Sequence, residues 1–130
     1  MTPELTVLAL AGLLQGLQFT LYAVFANLQI GTKKAMGPRD KHITLEGTAG
    51  RMQRAMNNHF EGLIFFSLAV VVVVLGDKTT GFSAICAWTY LCSRILYIPA
   101  YTFGWTPWRS LIWAIGFFAT MLMIVSALLF

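Results

Sequence analysis

From Leu5 to Ile30 the chain runs without one charged side chain. A helix of about 20 apolar residues crosses the roughly 30 Å hydrocarbon layer of a bilayer. Three further segments of this kind follow: Asn57–Gly76 with Glu61 near its start, Gly81–Phe103 with Arg94 inside it, and Ser110–Phe130 with no charge. The β-branched run Val70–Val74 suits a strand by propensity alone, but four open strands would leave backbone edges unpaired in lipid. Composition agrees: 58% of residues are hydrophobic and 11% charged, against about 25% charged in soluble domains. The sequence predicts an all-α integral membrane protein, a bundle of four transmembrane helices at about 4–31, 48–76, 80–103 and 107–130 in one domain spanning 1–130. No basic stretch precedes the first segment, and it is too long for a signal peptide's apolar core, so it reads as a retained helix.

The net charge of +4 is unevenly placed. Lys33, Lys34, Arg39, Lys41, Arg51 and Arg54 lie between segments one and two, against Asp40 and Glu46. The second connection carries only Asp77 and Lys78, and Arg109 lies in the third. The excess of Lys and Arg places the first and third connections in the cytoplasm, with the N- and C-termini on the non-cytoplasmic side. The basic charge is thus topological, and no basic soluble module is present to bind nucleic acid. Cys86 and Cys92 fall on different helix faces and read as packing residues that do not pair. His42 and His59 have no metal-ligand spacing, so no metal site is expected, and His59 reads as an ordinary interfacial residue. Pro99 is expected to kink the third helix and Pro107 to start the fourth. Trp105 and Trp108 suit the aromatic belt at a membrane surface.

Two polar stripes stand out from this apolar background. Arg51, Arg54, Asn58 and Glu61 share one face of the second helix at steps of three, four and three. Tyr90, Arg94, Tyr97 and Tyr101 share one face of the third. The two helices are antiparallel, so both stripes reach the same half of the membrane, near Arg109. A charge in lipid must face protein or trapped water. The set suits a small ligand with carboxylates, an amine and an ionisable group: Arg forks onto a carboxylate, Glu takes an ammonium, Asn holds a peptide group and Tyr supplies hydroxyls. The alternative is structural, with Arg54 or Arg94 paired to Glu61 to hold the bundle together.

These residues resemble a known family, the membrane-associated proteins in eicosanoid and glutathione metabolism (MAPEG). Arg51-Met-Gln-Arg54-Ala55-Met-Asn-Asn58-His-Phe-Glu61 is similar to the family's second helix, and Arg94-Ile-Leu-Tyr97-Ile-Pro-Ala-Tyr101 to its third. Arg109 matches the Arg that opens the family's fourth helix, and Lys33-Lys34-Ala35 a basic pair after its first. Where several members have Tyr after the second-helix Glu, this chain has Gly62. The resemblance covers essentially the whole chain and is strongest to small bacterial members. It implies a homotrimer in a bacterial inner membrane, with an active site facing the cytoplasm. It also implies glutathione as co-substrate, held by Arg51 at the periphery and by Arg54, Asn58, Glu61, Arg94, Tyr97 and Tyr101. Arg109, with Arg94 second, would stabilise the thiolate as it attacks a lipophilic electrophile or hydroperoxide arriving from the membrane lipids. The implied activity is that of a glutathione S-transferase or peroxidase. Two other readings remain open on sequence: a small proton-coupled multidrug exporter using Glu61, and a non-catalytic membrane scaffold.

The topology has a direct check. With Cys86 and Cys92 replaced, a cysteine introduced at Lys78 should react with a membrane-impermeant maleimide on intact cells expressing the chain. One introduced at Arg39 should react only after permeabilisation; the reverse pattern inverts the orientation.

Overall fold

The computed structural model describes residues 1–30, 47–104 and 107–130, without the side chains at 29, 30, 47–49 and 102. Lys33, Lys34, Arg39, Lys41, His42 and Trp105, singled out above, lie outside the described residues. The described chain is helical with no strand: α1 Pro3–Ile30, α2 Gly47–Leu75, α3 Gly81–Thr102 and α4 Trp108–Leu129. All four are long and apolar enough to cross a membrane. The protein is an integral, multi-pass membrane protein.

Helices α2 and α3 lie side by side, with α1 packed against both on one flank and α4 against both on the other. Among the described residues α1 and α4 do not touch. Antiparallel register is visible in the polar pairs. Gln18 of α1 meets His59 of α2, and four residues later Tyr22 meets Gln53. Between α2 and α3, Asn58 meets Arg94 and Arg54 meets Tyr101.

The core fills the half of the bundle that carries both termini. Val7 and Ala11 of α1, Phe66, Ala69, Val70 and Val73 of α2, Ala87 and Leu91 of α3, and Ala119 and Met123 of α4 belong to one buried cluster, in which α2 and α3 stand between α1 and α4. Lipid tails are as apolar as these side chains, so close packing replaces the hydrophobic effect as the driving force. Small residues make that approach possible. At Gly116 an added Cβ would run into the Ser93 hydroxyl, with the Ser93 Cβ at 3.3 Å. Large apolar side chains such as Leu13, Leu17, Phe19, Ile64 and Leu68 stay exposed on the outer faces, as lipid contact allows.

The α2–α3 turn closes this half. Lys78 N–H reaches back to the Val73 carbonyl at 2.8 Å and Asp77 N–H to Val74 at 3.2 Å. Asp77 takes the left-handed conformation this requires, at φ 55°, which a short polar side chain tolerates. Thr80 then caps α3, its side chain accepting from Ser83 N–H while Ser83 Oγ accepts from Thr80 N–H. The Ser83 hydroxyl also donates to Glu4, a carboxylate only 1% exposed whose Oε2 has no partner.

Two expectations need correction. His59 is not interfacial: it is 1% exposed and its Nδ1 is hydrogen-bonded to Gln18 Oε1 across the α1–α2 contact. The pair satisfies one ring nitrogen, while His59 Nε2 is buried with no partner. Of the two cysteines, Cys86 packs in the core but Cys92 is exposed on the outer face of α3. Helix α3 continues through Pro99 to Thr102, and Pro107 caps the start of α4.

Ser83→Ala removes one arm of the α3 cap and the partner of buried Glu4. It should destabilise the fold by about 2 kcal/mol, read as a lower melting temperature in detergent; Cys92→Ser should leave that temperature unchanged.

Candidate functional site

At the end of the bundle opposite the termini the packing opens, and the two stripes face each other there. Arg94 is 3% exposed. Its Nη1 donates to Asn58 Oδ1 at 3.0 Å, and its guanidinium carbon lies 4.5 Å from the centre of the Tyr97 ring. Its Nε and Nη2 have no partner. One turn nearer the helix end, Arg54 Nε donates to the Tyr101 hydroxyl at 3.0 Å. Arg109, from the first turn of α4, lies 4.8 Å from the same ring's centre. The Tyr97 and Tyr101 rings are 5.6 Å apart and tilted. Three helices thus contribute to a stack of guanidinium groups and phenol rings, with cations over ring faces where their quadrupole is attractive.

Two neighbouring spaces adjoin this stack. An open groove of about 410 Å³ runs past Asn58, Tyr97, Arg109, Ser110 and Trp113. A more enclosed cavity of about 100 Å³ shares Asn58 and Trp113 with it and adds Glu61, Tyr90, Arg94 and Phe117. Glu61 lines the inner cavity and is exposed. Among the described residues it forms no ion pair with Arg54 or Arg94, so the structural pairing considered above is not the arrangement found. Arg51 is exposed and lies against the tight turn at Gly104, where φ is +70° and an added Cβ would come within 3.8 Å of its guanidinium.

All eight site residues named from sequence therefore sit at one end of α2, α3 and α4. Arg54, Asn58, Arg94, Tyr97, Tyr101 and Arg109 join through direct contacts or a shared groove wall. Glu61 joins through the inner cavity, and Arg51 lies at the periphery. Trp113 was missed, although it borders both spaces. Its signal is helical spacing: 109, 113, 116 and 120 share one face of α4 at steps of four, three and four. Tyr90, noted only as part of a stripe, has its hydroxyl beside Gly62, where an added Cβ would lie 3.5 Å from it.

The site has a cationic wall, hydroxyl donors, one unpaired carboxylate and an apolar floor. The chemistry of such a surface is complementary to a small molecule that carries carboxylates and an amine. Burying a charge in this half-paired state costs several kcal/mol. The fold would be at least as stable with an apolar side chain at position 94. Arg94→Met should therefore leave the unfolding free energy of the ligand-free protein within about 1 kcal/mol of the wild type or raise it; a large drop would assign Arg94 to holding the bundle.

A family model described as the MAPEG family matches residues 7–129, nearly the whole chain. No curated protein and no solved structure matches.

Proposed function

This chain belongs to the MAPEG family, and from that premise we propose that it is a membrane-bound glutathione-dependent enzyme of the transferase or peroxidase type. The observation that carries this reading is Arg94, a buried guanidinium with two unpaired nitrogens, which lines the inner cavity with an unpaired Glu61, while Arg109 lines the adjoining groove and Arg54 bonds the Tyr101 hydroxyl nearby. Glutathione brings two carboxylates, an ammonium, two peptide groups and a thiol, and each has a chemical counterpart among these residues. Arg54, with Arg51 at the periphery, receives carboxylate; Glu61 receives the ammonium; Asn58 holds a peptide group; Tyr97 and Tyr101 supply hydroxyls.

The chemical step begins with loss of the thiol proton to water. A free thiol has a pKa near 8.5, so little thiolate exists at neutral pH. A guanidinium beside the sulfur stabilises the anion, each unit of lowering being worth about 1.4 kcal/mol. Arg109 is assigned this role because it lines the open groove and is only part-buried; Arg94 is second. The thiolate then attacks an electrophilic carbon of a lipophilic molecule entering from the bilayer and displaces its leaving group as an anion. Alternatively it attacks a hydroperoxide oxygen, breaking the O–O bond to release an alkoxide that water protonates. That leaves a glutathione sulfenic acid, which a second glutathione converts to the disulfide with loss of water. The basic first and third connections favour a cytoplasmic-facing groove, where glutathione arrives from water. The family also favours a homotrimer, in a bacterial inner membrane for a small member of this type. The shared cavity of Glu61 and Arg94 argues against a site for cationic drugs, since the guanidinium repels them.

The test is calorimetric titration of glutathione into the purified protein, with ultraviolet difference absorbance for thiolate on the same samples. Binding with a thiolate signal is expected. Arg109→Ala should lower kcat roughly tenfold or more while Kd changes less than about threefold. No binding at millimolar glutathione to folded protein would overturn the reading.

A further inference from the structure

Among the described residues, neither space at the site is lined by α1. Yet α1 is hydrogen-bonded to α2 at the two levels where α2 supplies the site. At the inner level His59 Nδ1 donates to Gln18 Oε1, while the preceding residue, Asn58, accepts from Arg94 Nη1 at 3.0 Å. About one turn nearer the start of α2, Gln53 Nε2 donates to the Tyr22 hydroxyl at 3.5 Å, while the following residue, Arg54, donates to the Tyr101 hydroxyl at 3.0 Å. Consecutive residues stand about 100° apart around a helix, so each adjacent pair spans α2 from α1 on one side to α3 on the other.

The inner contact is enclosed: Gln18 is 5% and His59 1% exposed. Polar contacts between helices in lipid add little beyond what packed apolar side chains supply. This one also leaves His59 Nε2 buried with no partner, a cost that an apolar pair would avoid. Holding the bundle together therefore does not account for it, but directionality does. Dispersion contacts tolerate a helix turning about its axis, whereas a hydrogen bond holds only within a narrow range of distance and angle. Side-chain tips about 6 Å from the axis move about 2 Å when the helix turns by about 20°, enough to break the bonds of Arg54 and Asn58. Packing resists such a turn weakly here. Among the described residues, the buried apolar cluster joining α1 to α2 in this half is Tyr22, Ala26 and Met56.

We propose that Gln18 and His59 are positioning residues: their bond sets the rotation of α2 that aims Asn58 and Arg54 at α3, and so fixes the site from a helix that does not line it. The Tyr22–Gln53 bond repeats the device one level out. What the site binds rests on the glutathione reading above; the aiming of Asn58 and Arg54 does not.

The experiment compares the wild type with two variants in lipid nanodiscs. Gln18→Leu combined with His59→Leu replaces the pair by apolar side chains of similar volume. His59→Asn keeps an amide donor near the place of Nδ1. In ligand-free protein labelled with ¹⁵N-arginine, the Nε–H resonance of Arg94 reports whether Asn58 still holds the guanidinium, and the melting temperature shows whether the bundle is intact. Glutathione affinity is measured on the same samples. The double substitution should move the Arg94 resonance, speed its exchange with water roughly fivefold, and weaken glutathione binding by a similar factor, the worth of one net hydrogen bond. His59→Asn should restore all three.

An Arg94 resonance unmoved in the folded double variant overturns the positioning role and leaves the pair as a contact that only holds helices together. A moved resonance with glutathione affinity equal to that of the wild type overturns the claim that the pair serves the site. A moved resonance, with no glutathione binding even by the wild type, supports the positioning role and removes the glutathione reading. Should the double variant not fold, Tyr22→Phe deletes only the outer acceptor and carries the same test on the Arg54 Nε–H resonance, where no change overturns the proposal.

Discussion

Arg94 lies inside a membrane-spanning helix, and lipid offers its guanidinium nothing. Everything at that end of the bundle answers this constraint. Asn58 is turned inward to accept from it, the Tyr97 ring lies beneath it, and Nε and Nη2 stay buried without partners. A charge in that position is tolerated only if something repays its desolvation. Within the chain the repayment is partial, because Glu61 shares the cavity but, among the described residues, forms no ion pair with it. On the proposed function, an anionic ligand would complete what the fold leaves open at this cation.

The bundle affords this because its two halves do different work. Around Val7, Phe66, Val70 and Met123 the helices pack through alanines, and a capped tight turn fixes their ends. This half supplies the rigidity. Toward the other end, larger polar side chains separate α2 from α4, leaving the groove past Arg109 and Trp113. Tyr90 stands at the boundary, stacked on core Phe66 with its hydroxyl in the cavity. A site anchored this way is held by helices rather than loops, which favours preorganised donors.

The four helices were legible because a bilayer demands long uncharged segments, and little else in a sequence produces them. The stripes were legible because charges are so rare here that helical spacing among them stands out. Other features carry no such contrast. Nothing in the sequence ties Gln18 to His59, since both are single polar residues on different helices whose meeting depends on register. Trp113 reads as one more lipid-facing aromatic until α4 is seen against α2. Whether Glu61 pairs with an arginine is a matter of a few ångströms between side chains, which spacing along a helix does not decide. Cys92 was expected in packing by residue type, but it shares its face of α3 with exposed Trp88 and Leu96, four residues before and after it, which turns it outward.

The most direct measurement follows the Arg94 side chain itself. In protein labelled with ¹⁵N-arginine, the Nε–H resonance of Arg94 is identified by its loss in Arg94→Lys. Addition of glutathione should shift that resonance and slow its exchange with water, because a ligand that completes the site orders the guanidinium and its surroundings. Glutathione binding that left the Arg94 resonance unmoved would contradict the central claim that this buried cation is held for the ligand.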